Sequence, residues 1–193
     1  MKLYLNGTSP FARLVWATAL ELDLRAIELE WVDPWSEQPA LLTVNPLSRV
    51  PALQDDNGTS LTGTMLILQH LVESAEHDAG LRTRDIRTIS ELGVAYGIME
   101  LAFALTIHKK HCGGAGITLQ DRRRTFLRHG LQAMETAVTE DARWSLSRLC
   151  LWIAIDYIRF REVMESSANR YPALKAFYTE HADRVALRRT SFA

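Results

Sequence analysis

The chain has few cysteines and lacks the long apolar runs that mark secreted and membrane proteins. Its 193 residues include two cysteines, Cys112 and Cys150, and no Cys-x-x-Cys pair. Two thiols cannot cross-link a secreted fold of this size, and the missing pair argues against a dithiol redox centre. Residues 1–7 hold no signal-peptide core, and the apolar stretch at 149–155 is too short to span a bilayer. We therefore expect a cytoplasmic protein that does not insert into membranes.

The chain also lacks a strong net charge of either sign. It has 22 Lys+Arg, 23 Asp+Glu and 47% hydrophobic residues. This is a globular composition without an overall attraction to nucleic acid or anionic membranes. The charge is uneven, however: residues 1–78 hold 4 basic and 11 acidic side chains, whereas residues 79–193 hold 18 and 12. This break predicts a domain boundary near residue 78.

The first part alternates short strand patterns with helix patterns. Strands are predicted at 2–6 and 26–30, separated by a helix that begins at Pro10, because the first turn of a helix tolerates proline. A short irregular or helical segment follows at 35–44. Two further strands, at 50–53 and 60–61, flank Asp55-Asp56-Asn57-Gly58, in which Asn-Gly is a strong hairpin signal. A helix at 64–74 completes the predicted order β-α-β-α-β-β-α.

The second part shows only helical periodicity. A long helix is predicted from about Ile86 to Cys112-Gly113-Gly114, whose glycines can supply a left-handed exit. A second helix carries apolar residues from 127 to 138. A third, at 146–160, is apolar on most sides, as a central bundle helix should be. A fourth follows Tyr171-Pro172 and extends through Val185.

The segment Thr8-Ser9-Pro10 places hydroxyls between a strand end and a helix start. Unpaired backbone N–H groups and the positive end of the helix dipole stabilise an anion there, and a serine hydroxyl can donate a hydrogen bond to it. If the anion is a thiolate, the same interactions lower the pKa of the thiol from its usual value of about 8.5. The alternative is that Ser9 or Thr8 only caps the helix.

Two other segments could bind a peptide-like ligand. A cis Val50–Pro51 bond would turn the backbone N–H and C=O of Val50 outward, although a trans proline at a strand start fits the pattern equally. At Thr62-Gly63-Thr64, a helix start that follows a strand could hold a carboxylate, or a threonine there could simply cap the helix. No metal is expected, because His108-x-x-His111-Cys112 lies at a predicted helix end without a fourth ligand.

The order and spacing of these segments resemble one known family. Residues 9–15 (Ser-Pro-Phe-Ala-Arg-Leu-Val), 45–53 (Asn-Pro-Leu-Ser-Arg-Val-Pro-Ala-Leu) and 58–71 resemble the thioredoxin-like N-terminal domain of cytosolic glutathione transferases, in particular bacterial serine-type members. Residues 145–161 resemble the family's buried central helix, and Tyr171-Pro172-Ala173-Leu174 followed by Arg184 resembles its closing helix. The resemblance implies a thioredoxin-like α/β domain at 1–76, a linker at 77–84 and an all-α helical bundle domain at 85–193.

The resemblance implies a role for each matching residue. Ser9 matches the residue that faces the glutathione sulfur and stabilises the thiolate, with Thr8 as the alternative. Val50 matches the residue whose backbone pairs with the cysteinyl group, and Pro51 matches the family's cis-proline. Thr64 matches the serine that binds the γ-glutamyl carboxylate. The remaining implied glutathione contacts are Phe11, Gly63 and Arg49, the last of them at the glycyl end.

Three positions depart from the family pattern. Gly63 stands where the family usually has an acidic residue, or sometimes Gln, that pairs with the α-amino group of glutathione. Losing that contact costs about 1.5–3 kcal/mol, on the order of ten- to a hundredfold in affinity. Ser48 replaces a common glycine. Arg148 replaces the aspartate of the capping box begun by Ser145, and we expect its side chain to point to solvent or to an acid elsewhere, because a cation is unfavourable near a helix N-terminus.

The implied function is conjugation of the thiolate of glutathione, the co-substrate, to a small electrophile. The electrophile is expected between the domains, where it would contact four residues of the first long helix: Tyr96, Met99, Glu100 and Phe103. The family commonly forms homodimers, and the unequal charges of the two parts would favour pairing between copies. Two alternatives remain. One is a catalytically weak binding or regulatory module, favoured by Gly63; the other is a Ser9-independent glutathione isomerase or ether-cleaving enzyme on the same fold.

Overall fold

The computed structural model describes residues 1–24, 26–112, 116–141, 143–164 and 170–193, and the chain divides into two compact units. The first unit contains Met1–Arg82 together with Arg184–Ala193, and the second contains Thr83–Asp183. We predicted that the helical domain extends from 85 to 193. Arg184–Ala193, hereafter the returning segment, instead belongs to the first unit.

The first unit has the predicted order β-α-β-α-β-β-α. Its elements are β1 (Lys2–Leu5), α1 (Pro10–Glu21), β2 (Glu28–Trp31), α2 (Pro39–Val44), β3 (Ala52–Gln54), β4 (Ser60–Thr62) and α3 (Thr64–Ser74), followed by α8 (Val185–Arg189) in the returning segment. The strands form one mixed sheet in the order β2-β1-β3-β4. β1 pairs with β2 in parallel and with β3 in antiparallel orientation, and β3 and β4 form an antiparallel hairpin. This is the predicted thioredoxin-like α/β unit.

The sheet is stable because apolar side chains cover both of its faces. Helices α1 and α3 pack against each other, and both bury continuous apolar stripes. A second cluster contains Tyr4, Val32, Leu41, Val44 and Ala52, so that α2 contributes to the core through its two buried residues. The predicted hairpin turn is confirmed. The carboxylate of Asp55 accepts hydrogen bonds from the backbone N–H groups of Asn57 and Thr59, and Gly58 has the positive φ (83°) that such a turn needs.

The second unit is helical, as predicted. It contains α4 (Ile86–His111), α5 (Ile117–Glu140), α6 (Leu146–Phe160) and α7 (Pro172–His181). α6 is the most thoroughly buried of these helices, which confirms its predicted central place, and α4 packs against both α5 and α6. Among the described helices, α4 alone is long and apolar enough to cross a membrane, by length and composition only. The core helix of a globular domain passes the same test.

The structure corrects the extent of one predicted helix, and one predicted helix end lies outside the described residues. The predicted fourth helix is wrong in its extent, because α7 ends at His181 and the chain then forms the separate helix α8 in the first unit. Val185 suggested continuity because it lies two turns after Phe177, but its side chain is 68% exposed. The glycines predicted to end the first long helix, Gly113 and Gly114, lie outside the described residues; α4 ends at His111.

Arg148 points to an acid and not to solvent. Its side chain is 2% exposed, and Nη1 lies 3.0 Å from Oε2 of Glu91 on α4. Nη2 donates to the carbonyl oxygens of Ala137 and Asp141, both at 2.9 Å, at the C-terminal end of α5. The cation therefore lies beside the negative end of a neighbouring helix dipole, which offsets its place in the first turn of α6.

Candidate functional site

The pairing of three strands brings the predicted site segments to one end of the sheet. Tyr4 near the end of β1 is opposite Ala52 at the start of β3, and Ala52 is opposite Thr62 at the end of β4. The connections that leave this row are residues 6–9 after β1, residues 45–51 before β3 and residue 63 after β4. Segments that are separated by 12 to 57 positions in the sequence therefore emerge from neighbouring strands.

Ser9 is the N-cap of α1. Its Oγ accepts a hydrogen bond from the Ala12 N–H at 3.2 Å, and the residue is 8% exposed. The structure thus confirms that Ser9 caps α1. It leaves the other function open, since a hydroxyl that accepts one hydrogen bond retains its own proton to donate.

Thr8 is held differently. Its Oγ1 donates to Oδ1 of Asn6 at 2.8 Å, and its backbone N–H donates to the same oxygen at 3.0 Å. Asn6 is fixed in turn, because its Nδ2 donates to the carbonyl oxygen of Val32. The Thr8 hydroxyl therefore donates its proton to the Asn6 side chain. The Ser9 hydroxyl, in contrast, accepts a hydrogen bond from Ala12 through its oxygen.

The segment before β3 presents backbone groups outside the sheet. The Val50–Pro51 peptide bond is cis, as the resemblance implies. Val50 is half-buried against the cluster beneath α2, Pro51 is buried, and the strand pairing begins only at Ala52. The side chain of Arg49 is exposed, and its carbonyl oxygen accepts a hydrogen bond from Nδ2 of Asn45 at 2.7 Å. This bond links the two ends of the loop between Asn45 and Arg49.

The start of α3 has no side-chain cap. Gly63 occupies the N-cap position with φ 89° and ψ 115°, and among the described residues no side chain caps this helix. The alternative that Thr62 or Thr64 caps the helix is therefore wrong. Thr64 is 6% exposed at the first position of the helix. The first-turn N–H groups lack helical partners by geometry, which suits them to an anionic group.

Ser48 adopts the left-handed conformation that favours glycine. Its φ is 50°, and its Oγ donates to the carbonyl oxygen of Pro34 at 3.0 Å. The structure thus explains why a glycine is common at this position, and the hydrogen bond supports the serine that replaces it.

The four residues predicted to contact an electrophile differ in exposure. Met99 is fully buried, Tyr96 and Phe103 are partly exposed, and Glu100 is exposed, all on α4. The Phe103 ring also lies 6.5 Å from that of Tyr157 on α6. Three of the four therefore have surface to offer a ligand, while Met99 lies in the core. Phe11, on α1, is partly exposed.

No group of three or more metal-ligating side chains occurs within the described ranges. Both cysteines are free thiols; Cys112 is exposed and Cys150 is buried. Burial raises the pKa of the Cys150 thiol far above its ordinary value, so that this group stays protonated and unreactive.

Comparison with known proteins identifies the first unit. Residues 3–79 match the family described as the N-terminal domain of glutathione S-transferase. This part of the chain therefore resembles a glutathione S-transferase N-terminal domain. The predicted resemblance is confirmed, and the matched residues contain the whole sheet with α1, α2 and α3.

Relatives and solved structures extend this finding. A maleylacetoacetate isomerase from Pseudomonas aeruginosa is 38% identical over 100 residues, which are 49% of this chain and 47% of the isomerase; the match thus spans about half the length of this curated relative. A glutathione transferase family member from Pseudomonas fluorescens Pf-5 with bound glutathione superposes over 100% of this chain and 98% of its own (TM-score 0.89, 24% identity). A glutathione S-transferase from Methylobacillus flagellatus, also with glutathione bound, covers 100% and 99% (TM-score 0.86, 22% identity). These structural likenesses show that the chain has the glutathione S-transferase fold.

Two residues of this domain escaped the sequence analysis. Asn6 follows β1 and binds Thr8 through an Asx-type turn, a pattern that Asn-Gly-Thr after a strand can signal. Arg13 is 4% exposed on α1, on the face that α8 packs against. An arginine between apolar residues of a helix can indicate a buried cation. The sequence did not identify the partners of Arg13, because they lie more than 170 residues away.

Proposed function

We propose that this chain is a glutathione-dependent enzyme whose first unit binds glutathione along the end of the sheet where β1, β3 and β4 meet. The supporting observation is the shared row of Tyr4, Ala52 and Thr62, from which the connections carrying a hydroxyl, an unpaired backbone segment and an uncapped helix start all leave. A tripeptide thiol needs these three kinds of partner for its sulfur, its central peptide and its acid group.

In the proposed complex, the γ-glutamyl carboxylate accepts hydrogen bonds from the first turn of α3 and from the Thr64 hydroxyl. The cysteinyl group pairs with the backbone of Val50, and Arg49 binds the glycyl carboxylate. Phe11 and Gly63 complete the walls of this site. Gly63 supplies no side chain to the α-amino group, so that affinity depends on the remaining contacts.

Ser9 is the proposed thiolate stabiliser. Its hydroxyl donates a hydrogen bond to sulfur while its oxygen continues to cap α1 through Ala12. Thr8 is the weaker candidate because its proton is already donated to Asn6. The hydrogen bond and the helix start both favour the anion, which lowers the pKa of the bound thiol and raises the thiolate population at neutral pH.

The proposed reaction is nucleophilic attack. The glutathione thiol loses its proton to solvent, and the thiolate electron pair forms a carbon–sulfur bond with a small electrophile. A leaving group departs with the electrons of the bond that breaks, or a proton adds where the electrophile is an activated alkene. We propose that exposed parts of Tyr96, Glu100 and Phe103 contact the electrophile.

The similarity to maleylacetoacetate isomerase favours a second candidate reaction. There, the thiolate would add to one carbon of a cis double bond conjugated to a carbonyl group. Rotation about the resulting single bond and expulsion of the thiolate would give the trans isomer. Glutathione is regenerated in this reaction and consumed in conjugation, so the two are separable by measuring glutathione loss.

Binding to immobilised glutathione, followed by assays with an aromatic electrophile and with maleylacetoacetate, tests the proposal. We expect retention of the wild-type chain and turnover of one substrate. Loss of a hydrogen bond to a charged sulfur is worth about 1.5–3 kcal/mol, so Ser9→Ala should lower kcat/KM about ten- to a hundredfold.

Matched variants separate catalysis from capping. Ser9→Asp keeps a capping oxygen but opposes the thiolate with a negative charge, and it should lose activity while remaining folded. Ser145→Ala removes the N-cap of α6 and should leave kcat/KM unchanged. Retention without turnover would identify a binding module instead, and activity indifferent to both Ser9 and Thr8 would contradict the assigned role.

A further inference from the structure

The returning segment contacts the chain on both sides of Ser9. Before Ser9, the backbone N–H of Ala193 donates to the carbonyl oxygen of Gly7 at 3.3 Å. After Ser9, by one helical turn, the side chain of Arg13 reaches into the same segment. The returning segment, which lies about 180 residues away in the sequence, thus contacts the chain both before and after Ser9.

Arg13 makes three contacts with this segment. Its Nη2 donates to the carbonyl oxygen of Leu187 at 3.2 Å, and its Nε donates to Oγ1 of Thr190 at 3.4 Å. The Phe192 ring centroid lies 4.2 Å from the guanidinium carbon. The side chain is 4% exposed. A buried guanidinium is costly to leave without partners, so these contacts define where Arg13 can lie.

The backbone of Arg13 is hydrogen-bonded directly to Ser9. The Arg13 N–H donates to the Ser9 carbonyl oxygen at 3.0 Å, and the neighbouring Ala12 N–H donates to the Ser9 hydroxyl. Both bonds belong to the first turn of α1. A hydroxyl must lie within hydrogen-bond distance of the sulfur to stabilise it, and displacement by 1 Å is enough to lose most of the effect.

We propose that Arg13 is a positioning residue: together with the returning segment, it holds the first turn of α1 so that the Ser9 hydroxyl faces the glutathione sulfur. This inference rests on the proposed function of Ser9. It assigns residues 187–193 to the support of the thiol site, whereas the sequence pattern assigns them to the helical bundle.

The test compares Arg13→Gln, Thr190→Val and Phe192→Ala with two controls. Arg189→Gln changes an exposed arginine of the same segment. Arg184→Gln breaks the ion pair with Glu21 at the far end of α1, where Nη2 and Oε2 are 2.6 Å apart. Three quantities are measured: the pH titration of the bound glutathione thiolate by ultraviolet absorbance, KM and kcat, and hydrogen exchange of the Ala12 amide.

We expect Arg13→Gln to reduce the bound thiolate about tenfold at neutral pH, with kcat falling in parallel and recovering as the pH is raised. KM for glutathione should change less than twofold, because the contacts of Val50 and Thr64 remain. Exchange of the Ala12 amide should accelerate at least tenfold, with smaller effects in Thr190→Val and Phe192→Ala. Arg189→Gln should match the wild type, and Arg184→Gln should alter stability without altering the thiolate titration.

Two results would overturn the inference. Unchanged exchange at Ala12 in the folded Thr190→Val and Phe192→Ala proteins would show that the segment does not hold this turn. An equal thiolate effect in Arg184→Gln would show general destabilisation and not positioning. Failure of the proposed function is recognised separately, because it requires that Ser9→Ala leaves the thiolate titration unchanged, whereas exchange at Ala12 is measured without glutathione.

Discussion

Gly63 departs from the family pattern and also has an unusual backbone conformation. Its φ of 89° lies in the region that side chains disfavour. A Cβ at this position would meet only Leu66, at 3.7 Å, so that space is available and the conformation itself is the obstacle. Glycine therefore adopts this conformation without strain, and it offers no side chain to a ligand.

We expect Gly63→Ala to lower the free energy of unfolding by about 1–2 kcal/mol, because alanine must adopt the same positive φ. Urea unfolding followed by circular dichroism measures the change. Gly93→Ala is the matched control: Gly93 lies inside α4 with nothing within 4 Å of an added Cβ, and the substitution should stabilise by about 0.5–1 kcal/mol. Equal effects of the two substitutions would contradict this account.

At the scale of the helices, Arg148 joins three elements of the second unit. Its backbone is in the first turn of α6, its guanidinium group binds the last carbonyl groups of α5, and it forms an ion pair with Glu91 of α4. Glu91 is itself mostly buried, at 14% exposure. In the family's capping box this position carries an aspartate. Here it carries an arginine that links α6 to α5 and α4.

We expect Arg148→Ala to destabilise the second unit by about 3–5 kcal/mol, since it removes the buried cation that pairs with Glu91 and donates to two carbonyl groups, and leaves Glu91 with only the exposed Arg87. Thermal and urea unfolding would measure this. The control is Arg87→Ala, which removes an exposed cation from the same Glu91 and from Glu140. That substitution should change stability by less than about 1 kcal/mol. Similar losses of unfolding free energy in both variants would show that the burial of Arg148 does not cause the destabilisation.

The acid stability of the same region depends on Asp141. The Arg143 guanidinium and backbone N–H bind its carboxylate and hold the pKa of Asp141 well below its ordinary value. A lowered pKa in the folded state adds stability above the unfolded pKa of about 3.9, and this stability is lost as the pH falls further. We expect Asp141→Asn to flatten the decline of unfolding free energy below about pH 4, measured by urea titration across pH. Arg143→Gln should reproduce the flattening, and an unaltered decline in both variants would refute the assignment.

For the whole molecule, the division into units changes the interpretation of charge. The sequence break suggested parts with net charges of −7 and +6. The first unit extends to Arg82, and the returning segment adds Arg184, Arg188 and Arg189. It therefore holds 8 basic and 11 acidic residues, net −3, while the second unit holds 14 and 12, net +2. Electrostatic complementarity between copies of the chain is accordingly weaker than the sequence alone implies.

We propose a homodimer, as the family resemblance implies, and expect apolar surface and not net charge to hold it. Large apolar side chains are exposed on helices of both units, for example Leu66 at 58% and Ile86 at 81%. Light scattering after size exclusion should give a dimer mass that is unchanged between low and high salt, since screening weakens only the charged contacts. Dissociation at high salt would contradict the expectation that apolar contacts hold the dimer. A monomer mass at all salt concentrations would refute the proposed homodimer.

Features that depend on near neighbours in the chain could be predicted from the sequence. The Asn-Gly turn, the proline at the start of α1 and the apolar periodicity of α4 to α6 act over a few residues, and for this reason the order of elements and the site segments could be predicted. The cap formed by Ser9 was one of two local alternatives, and the sequence left both open because one hydroxyl can serve both purposes.

Features that depend on distant partners are seen only in the folded protein. The contact of Arg13 with Thr190, the ion pair of Arg148 with Glu91 and the return of residues 184–193 to the first unit each join residues more than 50 positions apart. A single sequence records which residues are apolar or charged, but the partner of a buried charge is chosen by the packing of whole elements. That packing also brings the ends of β1, β3 and β4 together, because strand register and not sequence proximity fixes which connections are neighbours.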